Sequence, residues 1–190
     1  MPNENYYKQT NSQPTPTLGM ATDFVLKGLH YFTGFELRPL LALAIKDYLF
    51  TTGNTDVIID SQSITARSGD FNFSIFEDST TSADGTVITI QNSNRPLNGN
   101  PDFTPTVGFF EDPTVTSIGV PLINFPVLGN DGTGGKGKTT KSTAVFGKKF
   151  VLKKNTKYLM RIDNSIVDNL DADIGFQVDW HEHRKSVGGD

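Results

Sequence analysis

After residue 55, short apolar runs alternate with polar positions and are broken by Gly, Pro, Asn or Asp at roughly the eight-to-twelve-residue spacing of an antiparallel all-β chain. The runs are rich in Thr, Val, Ile and Phe, which suit a pleated, half-buried surface. They predict strands near 55–67, 70–78, 86–92, 104–110, 119–127, 143–152, 157–163 and 174–183. In one of them Phe71, Phe73 and Ile75 alternate with Asn72, Ser74 and Phe76, so one face is buried and the other partly exposed. Thr22 to His30 also reads as strand-like. Pro39 to Phe50 is the one stretch that could be a helix, with strand the open alternative: Pro39 fits a first helical position, Leu40, Leu43, Ile45 and Leu49 could share a face, and Gly53 could stop it. The expected fold is all-β, an antiparallel β-sandwich with at most one short helix. About eight strands favour a jelly-roll-like order over an immunoglobulin-like one.

The flanks differ from this body. Residues 1–21 are dense in Asn, Gln, Thr, Ser and Pro, with Leu18 and Met20 the only clearly apolar aliphatic positions. Such a segment hides too little apolar area to offset the entropy of ordering it, so it reads as an arm, extended along a neighbour or disordered alone. The expected organisation is an arm at 1–21, a connecting segment at 22–54, a β-sandwich domain at 55–184 and a flexible tail at 185–190. Within the domain, Phe76-Glu77-Asp78, Thr80 and Gly85 reappear thirty-four positions later as Phe110-Glu111-Asp112, Thr114 and Gly119. Both copies carry turn chemistry and β-branched residues, which predicts two related hairpins.

Composition narrows the chemistry. The chain has 190 residues, no cysteine, three histidines and a formal net charge of −4. Disulfides, thiol nucleophiles, iron–sulfur clusters and cysteine-ligated zinc are excluded. The longest apolar run, Leu40 to Ile45, is far short of the ~20 residues of a membrane span, and the polar start does not read as a secretion signal. Lys136 to Arg161 holds eight lysines and one arginine, with no Asp or Glu between Asp131 and Asp163, a local positive field in an acidic chain. Docking on an acidic partner, or protection of edge strands, accounts for it better than nucleic-acid binding, which calls for an overall basic domain with interleaved aromatics.

Five constellations remain. Gly132 to Thr139 matches the phosphate-loop spacing, but the β-branched run after Thr139 makes a poor first helical turn, so a flexible Gly/Lys loop is the simpler reading. His181-Glu182-His183 puts two imidazoles on one side of a strand, where a shared metal is sterically possible but no third ligand is identifiable. Asp168, Asp171 and Asp173 lack the twelve-residue calcium-loop pattern. Glu77 and Glu111, the carboxylate pair singled out by the repeat, are placed for turn-capping rather than acid–base work. Trp180, Tyr31 and Phe110 are the aromatic candidates for a glycan platform, a role in which single strand aromatics are less usual than core packing. No catalytic residue, metal or cofactor is expected.

The ordered series of Phe76-Glu77-Asp78, Asp84-Gly85-Thr86, Ile88-Thr89, Asn92 to Arg95, Pro113-Thr114, the Gly/Lys loop, Phe150 to Arg161 and Trp180-His181-Glu182-His183 resembles small virion proteins of tailed bacteriophages, often described as structural or head-decoration proteins. The likeness spans roughly residues 55–184. It implies a non-enzymatic protein on the outer capsid surface that binds the major capsid protein, often as a homotrimer, with no nucleic-acid or membrane partner. Pro14, Pro16, Leu18 and Met20 of the arm and Lys136, Lys138 and Lys141 of the loop are the expected contact residues. A receptor- or glycan-binding virion module is the alternative.

Overall fold

The computed structural model describes residues 20–129, 142–146, 150–165 and 171–183. One helix, α1 (Met20–Leu26), precedes fourteen strands: β1 (His30–Leu40), β2 (Ile45–Thr51), β3 (Asp56–Ser68), β4 (Phe71–Glu77), β5 (Thr80–Ala83), β6 (Thr86–Val87), β7 (Gln91–Asn92), β8 (Gly108–Glu111), β9 (Thr114–Ser117), β10 (Val120–Val127), β11 (Ser142–Phe146), β12 (Phe150–Leu152), β13 (Lys157–Asp163) and β14 (Ala172–His183). Two short 3₁₀ turns, Arg95–Leu97 and Pro101–Phe103, lie between β7 and β8.

All strand pairs are antiparallel. One sheet runs β11-β3-β14-β1-β7, with β12 also on β3, and the other β10-β4-β13-β2-β8-β6. Take the long strands β1, β2, β3, β4, β10, the β11–β12 pair, β13 and β14 as first to eighth. The first sheet then reads first, eighth, third, sixth, and the second reads second, seventh, fourth, fifth. That interleaving is the jelly-roll order, in which each sheet alternates strands from the two halves of the chain. Residues 78–119 are an insertion between the fourth and fifth strands, and they extend both sheets: β8 and β6 continue from β2, and β7 continues from β1.

Alternation fills the space between the sheets. Tyr31, Ile59, Ile64, Phe73, Phe109, Ile162, Phe176, Val178 and Trp180 all belong to one buried cluster. Aromatic rings run through it: Phe35 stacks on Tyr48 at 3.8 Å and on Phe176 at 5.0 Å, and Phe50 meets Trp180 edge-on at 5.3 Å. Each such contact contributes about 0.5–1.5 kcal/mol beyond the area it buries.

Two expectations need correction. Residues 39–50 form no helix: Pro39 and Leu40 end β1, Leu43 turns the chain at φ 64°, and β2 follows. Tyr48, Leu49 and Phe50 are all buried in a central strand covered on both faces, and an apolar run of that kind has no period that separates strand from helix. Consequently 22–54 is no connector, since it supplies one long strand to each sheet. The helix lies instead in the stretch read as strand-like. It closes through Gly28 at φ 69°, with Gly28 N–H donating to Val25 O and Leu29 N–H to Phe24 O, a glycine-terminated helix end. Elsewhere, the strand expected over 86–92 is two short pieces, that over 104–110 begins at Gly108, and that over 143–152 is divided between β11 and β12.

The thirty-four-residue echo does not form two hairpins. Each copy runs strand, Asp, strand, Gly, strand, and the copies pair with each other. Glu77 pairs with Val120 while Glu111 pairs with Thr86; Phe76 pairs with Pro121 while Phe110 pairs with Val87. In the two-stranded ribbon β5–β9, Thr80 opposes Ser117 and Ala83 opposes Thr114. Every partnership is thus repeated with the copies exchanged, a local two-fold relation. It continues into the centre of the sheet, where Leu49 opposes Leu159, with Tyr48 beside Glu111 and Tyr158 beside Glu77. Asp78 and Asp112 turn at φ 59° and 55°, and Gly85 and Gly119 at 97° and 82°. A Cβ on Gly85 would lie 2.1 Å from Glu111 O, and one on Gly119 2.1 Å from Glu77 O. Glycine is therefore required twice, for the same reason.

Gly85→Ala and Gly119→Ala should each lower stability by about 2 kcal/mol or more, because left-handed backbone strain and a backbone clash act together. Denaturant titration checks this, and a loss at only one position would contradict the two-fold relation.

Candidate binding surfaces and a histidine–aspartate cluster

The last strand, β14, lies between β1 and β3, and its outward face carries Asp179 and His181, two residues apart and hence on one side. Trp180 between them points into the core. In the antiparallel register His30 stands directly opposite His181. On the other flank, β3 pairs Ser61 with Asp179 and Ile59 with Trp180, leaving Asp60 as an extra residue. This bulge keeps Ile59 and Gln62 buried while Asp60 and Ser61 are both only partly covered, so the ladder stays in phase with the core on either side. The bulge brings Asp60 into the group.

His30 Nε2 lies 3.5 Å from Asp60 Oδ2 and 3.7 Å from Asp179 Oδ2. His30 Nδ1 is 2.7 Å from Ser93 Oγ, His181 Nδ1 is 2.6 Å from Asp60 Oδ2, and Ser61 Oγ donates to Asp179 Oδ1. Phe24 of α1 stacks on the His181 ring at 4.1 Å and buries it. The imidazole of His30 is held below its ordinary pKa by burial, against the opposing pull of the Asp60 and Asp179 charges. The cluster has few routes to water, since the side chains of His30, Asp60 and Asp179 are 13%, 10% and 20% exposed.

A second feature lies at the opposite edge. Between the sheets, where β10 and β12 form one rim of the sandwich, Phe50, Ile75, Leu122, Phe150, Leu152 and Met160 line an almost wholly apolar cleft. Leu122 is 48% exposed, and Val120 and Val151 are more exposed still. Among the described residues β10 bonds to β4 alone, so its outer backbone edge is available. Pro121 and Pro126 interrupt that edge with positions that have no donor.

Of the expected contact residues, Met20 is the first residue of α1, whereas Pro14, Pro16, Leu18, Lys136, Lys138 and Lys141 lie outside the described residues, as do the phosphate-like loop and Asp168. Folding neutralises the described part of the lysine run. Lys153 meets Glu77 at 2.6 Å, Lys154 meets Asp56 at 3.1 Å, Lys157 meets Asp84 at 2.6 Å, and Arg161 holds Asp47 through two 2.8 Å hydrogen bonds. Charge segregated along the sequence is therefore paired in space. Asp171 accepts the Ala42 N–H and the Asp173 N–H donates to Ser68 Oγ, so both hold loop and strand backbone.

Glu77 and Glu111 do not meet, since β13 and β2 separate their strands; each caps its copy of the repeat with a lysine, Lys153 and Lys46 respectively. Trp180 and Tyr31 are fully buried and the Tyr31 hydroxyl donates to Phe103 O, so neither offers a glycan platform, and Phe110 is half-covered within β8. His181 and His183 both pack on the Phe24 ring and meet each other edge-on at 5.2 Å, but His183 is exposed at the strand end, and it is the third histidine, His30, that joins His181 beside the aspartates. Jelly-roll order contains the missed signal, because it sets the first strand beside the last and so His30 beside His181. The Glu182 carboxylate is fully buried and accepts the Thr106 N–H with both oxygens, at 2.9 and 3.1 Å. Comparisons with protein-family models, curated proteins and solved structures return no match for this chain.

The hydrogen bond from Lys153 is the main reason the Glu77 carboxyl lies below its ordinary value of 4.5, and Lys157 does the same for Asp84, ordinarily 3.8. The unfolded chain therefore binds these protons first on acidification. Their contribution to stability is complete above those ordinary values and is lost as pH falls through the lowered folded ones. Denaturation midpoints measured from about pH 6 down to about pH 2.5 should show this acid loss, screened by salt because both pairs are surface pairs, and the Glu77→Gln/Asp84→Asn variant should show less of it.

Proposed function

We propose that this chain is a non-enzymatic structural protein of a tailed-phage virion, which decorates the capsid and stabilises it by binding the major capsid protein lattice on the outer surface. The supporting observation is the apolar cleft at the β10–β12 rim, with Leu122 and Val151 exposed beside an unpaired strand edge. An extended segment of a partner can add backbone hydrogen bonds along β10 and place alternate side chains over the cleft. The prolines of β10 limit that edge to a partner matched to its remaining donors and acceptors.

The partner's identity comes from the resemblance of residues 55–184 to head-decoration proteins. In this reading the N-terminal arm, with Pro14, Pro16, Leu18 and Met20, lies along a neighbouring subunit, and Lys136, Lys138 and Lys141 face acidic capsid surface close in sequence to the β10 rim. A homotrimer at three-fold positions multiplies modest contacts into firm attachment. Because the protein binds assembled lattice and not free subunits, mass action favours the shell.

Co-sedimentation of the purified chain with undecorated shells of its phage tests this reading. Leu122→Lys changes an exposed position and should weaken binding by about tenfold, equivalent to about 1.4 kcal/mol, without unfolding the chain. Deletion of residues 1–19, which leaves α1 whole, should weaken it as well. Unchanged binding by Leu122→Lys, absence of the protein from mature particles, or glycan binding in place of shell binding would overturn the proposal.

A further inference from the structure

The histidine–aspartate cluster has the geometry of an ion site. Its contacts around His30 Nε2, 3.5 Å to Asp60 Oδ2 and 3.7 Å to Asp179 Oδ2, are long for hydrogen bonds between charged partners, which run about 2.7–2.9 Å. They fit the separation of two ligands on one tetrahedral ion: bonds of about 2.0–2.2 Å to nitrogen and oxygen put neighbouring donors roughly 3.3–3.6 Å apart. The three donor atoms all lie within 4.8 Å of one another.

The surroundings support the same reading. Ser93 Oγ lies 2.7 Å from His30 Nδ1, and in the tautomer with the proton on Nδ1 the serine accepts it and Nε2 presents a lone pair to the two carboxylates. In that tautomer three electron-rich atoms converge in a largely covered position and repel each other unless a cation lies among them. The outer partners are the kind that orient metal ligands: Ser93 on His30, His181 on Asp60 and Ser61 on Asp179. Each ligand comes from a different strand, so the first, third and last long strands of one sheet would be tied at a single point.

We propose that His30, Asp60 and Asp179 form a binding site for one divalent first-row transition ion, with Zn²⁺ the best-matched probe and a water completing the coordination. One imidazole and two carboxylates form a nitrogen–oxygen donor set of intermediate hardness, without the sulfur that soft ions favour. The ion cross-links β1, β3 and β14 beneath α1. The site is independent of the capsid-binding reading.

The test uses the untagged full chain, stripped with chelator and titrated with Zn²⁺ by calorimetry and with Co²⁺ by visible absorption. The expected result is saturation at one ion per chain, a rise in Tm on Zn²⁺ addition, and Co²⁺ bands of a four- or five-coordinate site. Asp179→Asn keeps side-chain volume and should weaken Zn²⁺ binding by at least about tenfold, with the far-ultraviolet dichroism retained; Ser93→Ala should weaken it less. Lys154→Ala, which removes only the exposed pair with Asp56, should leave binding unchanged. Absence of saturable binding by the parent chain would show that a proton and not a metal holds the cluster together, and equal affinity in Asp179→Asn would put the ion elsewhere; either result overturns the site.

Discussion

The fold depends on the antiparallel insertion of β14 between β1 and β3. β14 pairs along nearly its whole length on both sides, so the end of the described chain completes a sheet begun by its first strand. Contacts between segments more than a hundred residues apart give little return until most of the chain is in place. The second sheet has the same character, because β13 enters between β2 and β4. Both sheets therefore close late, and both close on strands whose inward residues, from Ile174 to Trp180 and from Tyr158 to Ile162, are core side chains.

On this frame the inserted segment solves an edge problem. A jelly roll alone leaves β1 and β2 as edges of their sheets, and the insertion covers both with β7 and β8. The opposite side keeps its edge at β10, beside the apolar cleft. Among the described residues, one flank of the sandwich is thus covered by the chain's own strands while the other retains donors, acceptors and apolar surface.

A strand with clear alternation, such as Phe71 to Ile75, was legible because period two survives wherever one face is wet. Tyr48-Leu49-Phe50 was not, since burial on both faces erases that period and leaves an apolar run that imitates a helix. The repeat was visible as letters, but its pairing was not: a spacing of thirty-four residues does not say whether copies fold on themselves or on each other. The collision that a Cβ at Gly85 or Gly119 would cause belongs to the second arrangement, and it needs coordinates. Asp60 and Asp179 were invisible as a pair for a similar reason, because only the skipped residue in β3 brings them to one face. The described part of the lysine run, Lys153, Lys154 and Lys157, shows the converse, a pattern plain in sequence that folding pairs with Glu77, Asp56 and Asp84 from distant strands.

The reciprocal clasp between the two copies of the repeat has a consequence for assembly. Because each copy is complementary to the other through matching partnerships, either is nearly as well served by its counterpart in a second molecule. What keeps the embrace within one chain is tethering: the twenty residues between Val87 and Gly108 hold the mate at an effective concentration roughly on the millimolar scale, far above that of free protein. Crowding many copies onto a surface erodes that advantage. At protein concentrations approaching that scale, neighbouring molecules would have a route to exchange these segments without any new interface.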